Sequence, residues 1–198
     1  MARRKAGDLP EFSKMDNETE RLDELIGQIL DYSKLEARSD EAAVQINLTD
    51  LVERIVDDVR YECRASGIDG VTVDLVVDSH PNIDGHVEAL ASAIENVVRN
   101  AVRYSPVDGL VTVALRQQES RAIIEVTDQG SGVDEAELDN LFEPFFRTRS
   151  TLDDRSMVGS GLGLAIARRA VQKNSGSIAA RNIDDGGLCV SIELPVSA

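Results

Sequence analysis

The sequence predicts a two-layer α/β sandwich, with helices covering one face of a mixed sheet and a helical stem in front of it. Three observations carry this. Segments of period two and segments of period 3.6 follow one another without the strict alternation of a parallel-sheet protein. Two pairs of strand-like segments, "LVTVALRQ" with "RAIIEVTD" and "SIAARNI" with "LCVSIELP", are each joined by a short polar or glycine turn, as hairpins are. At 198 residues, 42% hydrophobic and 29% charged, the chain is long enough for one ordinary domain and an appendage.

The elements follow in order. Over residues 14–37, Leu22, Leu25, Ile26, Ile29, Leu30 and Leu35 recur at three- and four-residue spacings, which predicts an amphipathic helix with a seam for a second helix. The polar "EARSDEAA" after it reads as a hinge, so the chain divides into a stem, 1–40, and a domain, 41–198. "VQINL" suits a short strand. A helix over 48–64 has Thr49 or Asp50 placed to cap it and Leu51, Ile55 and Val59 on one face. A strand over 71–77 closes in the turn "DSHPNIDG". The helix over 87–104 has an inward stripe of Val87, Leu90, Ala91, Ile94, Val97, Val98 and Ala101. After the first hairpin come a short helix over 135–141, an irregular segment over 142–158, a helix in "GLGLAIARRAVQKN" and the closing hairpin.

Composition excludes several classes of function. Lys and Arg number 21 against 36 Asp and Glu, a net charge of -15 with no basic cluster, which argues against a nucleic-acid partner. Cys63 and Cys189 lie far apart without metal-ligand spacing and read as reduced core thiols. No apolar run approaches the roughly 18 residues of a membrane span, and "MARRKAGDLP" lacks the apolar core of a signal peptide. The chain reads as soluble and cytoplasmic.

The chemistry concentrates in four stretches. In "VTDQGSGV", alternation puts Asp128 on the apolar face with Ile124 and Val126, aiming a carboxylate between sheet and helices, where it needs a partner. Gly130 and Gly132 then let the backbone approach a flat group, and Val133 ends the motif. A purine with an exocyclic amine satisfies these features together; a plain Asp-Gly turn satisfies the glycines alone. In "GSGLGLAIA", Gly159, Gly161 and Gly163 alternate with Ser160, Leu162 and Leu164 at the mouth of a helix, whose outward N–H groups and macrodipole favour phosphate. A Walker loop would need Lys and Ser or Thr after the last glycine, where Leu164 and Ala165 stand.

In "ENVVRNAVRYS", Asn96, Asn100, Arg103 and Tyr104 share a face beside the apolar stripe. The Asn100 oxygen suits a magnesium ion that bridges phosphates, and Asn96 suits a water or hydroxyl in the same shell. Arg103 adds charge near the phosphates, and Tyr104 offers its ring to the base. The alternative is that the amides cap neighbouring loops. In "LFEPFFRTRST", Phe142, Phe145 and Phe146 are placed to anchor a lid to the core while Arg147 or Arg149 approaches the phosphates.

Those four stretches, in that order, resemble the N box, first glycine box, F box and second glycine box of the two-component sensor histidine kinases, over about residues 48–195. The wording of "ENVVRNAVRYS" and "GGLCVSIELP" resembles the Cpx-type envelope-stress kinases. The resemblance implies the Bergerat ATP-binding fold, with Asn100 as magnesium ligand, Asp128 as adenine reader, and Gly130, Gly132, Gly159, Gly161 and Gly163 as nucleotide loops. It implies ATP and Mg2+ as cofactors, a response-regulator receiver domain as partner, and a homodimer formed through a helical hairpin. The family's phosphoacceptor histidine is missing: His80 and His86, the two histidines present, lie in a turn and at a helix start, with surface polar roles expected. Residues 14–37 resemble the second helix of the family's dimerisation hairpin. The chain is therefore expected to be a piece of a longer kinase, anchored in a membrane only through upstream segments, that binds ATP without labelling itself. A hydrolytic ATPase of the same superfamily would carry a carboxylate base near Asn96, and an amide cannot abstract a proton. A nucleotide-dependent interaction module without catalysis is the third reading.

Overall fold

The computed structural model describes residues 26, 27, 30, 42–65, 70–148, 160–184 and 186–197. Of the expected stem, Ile26, Gly27 and Leu30 are helical, with Ile26 and Leu30 exposed; the rest of residues 1–40 lies outside the described residues.

The domain opens with β1 (Val44–Asn47) running straight into α1 (Leu48–Ala65). The cap is not Thr49 or Asp50. Asn47 Oδ1 accepts the Thr49 N–H at 3.0 Å and the Asp50 N–H at 3.4 Å, so the last strand residue satisfies the first helical donors. Leu48, Leu51, Val52, Ile55, Val56 and Val59 recur at helical spacing and are all buried. After β2 (Thr72–Val77), the expected turn contains a strand of its own, β3 (Asn82–Gly85), which pairs antiparallel with β1. The helix α2 (Val87–Tyr104) has the expected bounds. Its stripe is buried from Ala89 to Val102, but Val87 is exposed and Ala91 only half-buried.

The strands β4 (Leu110–Gln118) and β5 (Arg121–Thr127) form the first hairpin. A 3-10 helix spans Glu135–Phe142, then α3 (Gly163–Lys173) leads into β6 (Ser177–Asn182) and β7 (Leu188–Pro195). The sheet order is β2-β4-β5-β7-β6, with β2 parallel to β4 and every other pair antiparallel. Register aligns apolar residues into rows across all five strands: Leu75, Val113, Val126, Val190 and Ala180 form one, and Val77, Leu115, Ile124, Ile192 and Ile178 the next. The helices pack on this face. The opposite face carries polar groups, among them Glu125 between Arg116 at 3.3 Å and Arg181 at 3.8 Å. Cys63 and Cys189 are free thiols and both buried, as expected; burial, with Glu62 as a second cause, raises the Cys63 thiol.

One side chain locks α3 to the start of α2. Asn174 is 3% exposed; its Oδ1 accepts the His86 N–H at 2.7 Å and its Nδ2 donates to the Ala170 carbonyl at 2.7 Å. His86 is thus no surface residue: it precedes α2, half-buried, with its Nδ1 enclosed and unpaired among the described residues. His80 is exposed and shares a hydrogen bond with Thr49 through Nδ1 at 3.0 Å.

Candidate nucleotide site

Asp128 continues the line of β5 beyond its last ladder residue and is 5% exposed on the apolar face with Ile124 and Val126. Its main-chain N–H donates to the Leu188 carbonyl at 3.0 Å, which holds the residue against β7. Its Oδ1 accepts two backbone N–H groups, from Gly130 at 2.8 Å and Leu188 at 3.1 Å. Its Oδ2 takes no hydrogen bond from any described residue. One oxygen is therefore fixed by the protein and, among the described residues, the second is left as an acceptor. Burial pushes the carboxyl above its ordinary value, against the opposing pull of the two N–H groups.

Glycines clear the space beside it. A Cβ on Gly130 would lie 2.6 Å from the Tyr104 carbonyl, so the first glycine loop touches the C-terminal end of α2. Gly132 has φ +69°, and a Cβ there would meet Asn182 Oδ1 at 2.8 Å. Val133 is half-buried, with both its backbone groups bonded to Asn182.

Asn96, Asn100 and Tyr104 follow at four-residue intervals along α2, and all three are half-buried. Tyr104 adjoins Gly130, while Asn96 adjoins the other glycine loop: a Cβ on Gly163 would meet Asn96 Oδ1 at 3.0 Å. Eight residues of helix separate those contacts by ~12 Å, a length suited to a purine at one end and its terminal phosphate at the other. Asn96 Nδ2 bonds within its own helix, to the Ser92 carbonyl at 2.8 Å. Between them, Asn100 makes no hydrogen bond with any described residue. Arg103 is exposed in the last turn.

At the second glycine loop, α3 begins at Gly163, two residues later than the apolar pattern suggested, because Gly161 stands at φ +72°. No side chain caps α3; Ser160 Oγ instead accepts the Leu162 N–H at 3.0 Å. Leu162 is buried and Leu164 half-buried, which seats the helix end on the core. Gly161 adjoins the aromatic segment: its carbonyl accepts the Phe145 N–H at 2.9 Å, and a Cβ would lie 2.7 Å from the Phe146 carbonyl. Gly159 and Arg149 lie outside the described residues.

The aromatic segment departs from expectation. Phe142 is buried and anchors it, and Phe146 and Arg147 are half-buried, but Phe145 is 66% exposed with φ +63°. It does not anchor the lid. An exposed ion pair, Arg168 to Glu143 at 2.9 Å, ties the segment to α3 instead. Among the described residues no group of three His, Cys, Asp or Glu could hold a metal ion, and no helix is long and apolar enough to cross a membrane.

The architecture finds its counterparts among known proteins. Residues 85–198 match the family model "Histidine kinase-, DNA gyrase B-, and HSP90-like ATPase". The chain belongs to this family of ATP-binding domains, in its sensor histidine kinase branch. It is 33% identical to the sensor histidine kinase CpxA of Escherichia coli K12 over 99% of the chain and 42% of that protein. It is 37% identical to the sensor protein CutS of Streptomyces coelicolor over 81% of the chain and 38% of that protein. Among solved structures, a mycobacterial sensor histidine kinase, MprB, superposes with a TM-score of 0.67 at 30% identity, covering 78% of this chain and 97% of that one. The chain thus spans about two fifths of the length of the curated relatives it matches.

Asn182, Gly187 and Asn174 are the residues that sequence reading missed. Gly187 has φ +115°, and a Cβ there would collide with the Asp128 carbonyl, so a glycine at this position lets the main chain before β7 close on Asp128. The pair "DDGG" signalled the turn but not what it touches.

Proposed function

We propose that this domain binds ATP with magnesium and presents the γ-phosphoryl group to a histidine on a dimerisation hairpin, for relay to an aspartate of a response regulator. The observation that carries the reading is the divided carboxylate of Asp128, with one oxygen held by Gly130 and Leu188 and the other open to an exocyclic amine. Glycines border that opening, so a planar base can enter. Tyr104 lines the base end. Arg103, Arg147 and the loop of Gly159, Ser160, Gly161, Leu162, Gly163 and Leu164 serve the phosphates, as the uncapped start of α3 favours.

Magnesium fits as a nucleotide-borne ion rather than a resident one. The residues offer it one neutral oxygen, that of Asn100, whose amide no described residue occupies, and Mg2+ is commonly held by few protein ligands plus phosphates and water. Bound there, it would neutralise charge on the phosphoryl group being transferred. Asn100 would hold that ion near the phosphate chain, and Asn96 closes the space against Gly163. The protein's part is positioning and charge stabilisation. Asn96 offers an amide where a hydrolytic enzyme needs a base, which supports slow hydrolysis.

On this reading residues 1–40 are part of the dimerisation hairpin and 41–198 the catalytic domain of a homodimeric, membrane-anchored kinase working on the cytoplasmic side. Neither histidine of the chain is offered as acceptor, since His80 Nδ1 is bonded to the Thr49 hydroxyl and His86 Nδ1 is enclosed. The test supplies a separate hairpin carrying a histidine and follows label from γ-labelled ATP. Acid-labile, base-stable label should appear on the hairpin and not on this chain. Rapid phosphate release with no label on the hairpin would replace the kinase reading with an ATPase.

A further inference from the structure

We infer that Asn182 is a positioning residue of the nucleotide site, setting the first glycine loop at the spacing that lets Asp128 select an amine-bearing base. The inference rests on the nucleotide reading above and adds a specificity determinant to it.

Asn182 is the last residue of edge strand β6 and pairs with Leu188 of β7. Its side chain turns away from that ladder to Val133, 49 positions earlier. Val133 N–H donates to Asn182 Oδ1 at 2.9 Å, and Asn182 Nδ2 donates to the Val133 carbonyl at 2.7 Å. One amide thus serves both backbone groups of one residue, as a neighbouring strand would. The partners also fix which end of the amide is which, because the oxygen must face an N–H and the nitrogen a carbonyl.

The loop has few other ties. Asp128 is held by β7, and Gln129 Oε1 accepts the Leu110 N–H at 2.9 Å. Beyond Gly130, among the described residues, Asn182 makes the hydrogen bonds that join positions 131–133 to another element. It also meets the loop sterically, since its Oδ1 would touch a Cβ on Gly132. The loop is therefore stretched between two pins, Asp128 at one end and Val133 at the other, with Gly130 and Gly132 between them. Moving the second pin changes the gap between the glycines and Asp128 Oδ2, which is the width of the slot for a planar base. Losing the pin also strands two backbone groups, so the loop will seek other partners.

The experiment titrates ADP and inosine diphosphate, each with magnesium, into the whole 198-residue chain and into Asn182→Ala. The two nucleotides differ in having an amine or a carbonyl at the position Asp128 reads. Wild type should prefer ADP. Asn182→Ala should bind ADP roughly tenfold more weakly and lose at least about threefold of the preference, because inosine diphosphate, which gains little from Asp128, weakens less. A purely structural role would weaken both nucleotides by one factor, whatever it does to the melting temperature, leaving the ratio unchanged, and that result overturns the inference while the site stands. No ADP preference in wild type removes the nucleotide reading itself and this inference with it. Should Asn182→Ala not fold, Asn182→Ser and amide exchange decide: Val133 N–H in wild type should be protected well beyond its loop neighbour Ser131, and equal exchange at the two positions refutes the pin.

Discussion

Asp128→Asn separates the fold from the site. Asparagine keeps Oδ1 and with it both backbone bonds, from Gly130 at 2.8 Å and Leu188 at 3.1 Å, so the end of β5 stays joined to β7. What changes is the second position, where an acceptor becomes an N–H2 donor. A hydrogen bond to a charged group contributes about 1.5–3 kcal/mol, so ADP affinity should fall on the order of 10- to 100-fold. Donor facing donor adds to that loss. Stability should move the other way. Because burial raises the folded-state pKa of Asp128, its contribution to stability is full below the ordinary value of 3.8 and is lost as pH rises through the raised one. Above its raised pKa the wild type carries an ionised carboxylate in a 5% exposed position, and the variant does not. Melting curves across a pH series, paired with ADP titrations, should show the variant gaining on wild type from acid to neutral pH while it loses nucleotide. A variant that melts well below wild type at neutral pH and still binds ADP normally would refute the reasoning.

Three further predictions address other parts of the molecule. Asn100→Ala should leave the melting temperature nearly unchanged, within the ~0.5 kcal/mol usual for positions without special contacts, yet abolish the gain in ADP affinity that magnesium gives; equal affinity with and without magnesium in wild type would contradict it. Gly161→Ala imposes a side chain at φ +72° and on the Phe146 carbonyl; a cost of about 1–3 kcal/mol in urea unfolding, with weakened nucleotide binding, is expected. Asn174→Ala leaves the His86 N–H without its buried acceptor; urea unfolding should show a loss of about 1–3 kcal/mol with the ADP dissociation constant of the folded chain unchanged.

The elements that sequence periodicity revealed are those whose burial is one-sided. Val111, Val113 and Leu115 alternate because one face of β4 meets the helices, and the apolar stripe over 87–104 marks α2 within its observed bounds. Asp128 was legible for the same reason: a carboxylate in phase with Ile124 and Val126 breaks the pattern where the site lies. What stayed hidden depends on contacts distant in sequence. β3 is four residues long and pairs with a strand about 38 positions earlier, so its Asn, Asp and Gly read as turn chemistry. Asn182 and Asn174 look like ordinary polar residues at element ends, and their partners lie 49 and 88 positions away. Phe145 misled because an aromatic suggests burial, whereas here the main chain at φ +63° is tied to Gly161 and the side chain is exposed. Thr49 and Asp50 are good capping residues in general; Asn47, the last residue of β1, stands two and three positions before them, with the geometry to reach both N–H groups.

The most direct test of the account is a crystal structure of the chain with a non-hydrolysable ATP analogue and magnesium. The adenine amine should lie at hydrogen-bond distance, about 2.9 Å, from Asp128 Oδ2, and the metal about 2.1 Å from the Asn100 side-chain oxygen. A base seated elsewhere, with Asp128 Oδ2 facing only water and Asn100 remote from the phosphates, would contradict the site at its centre.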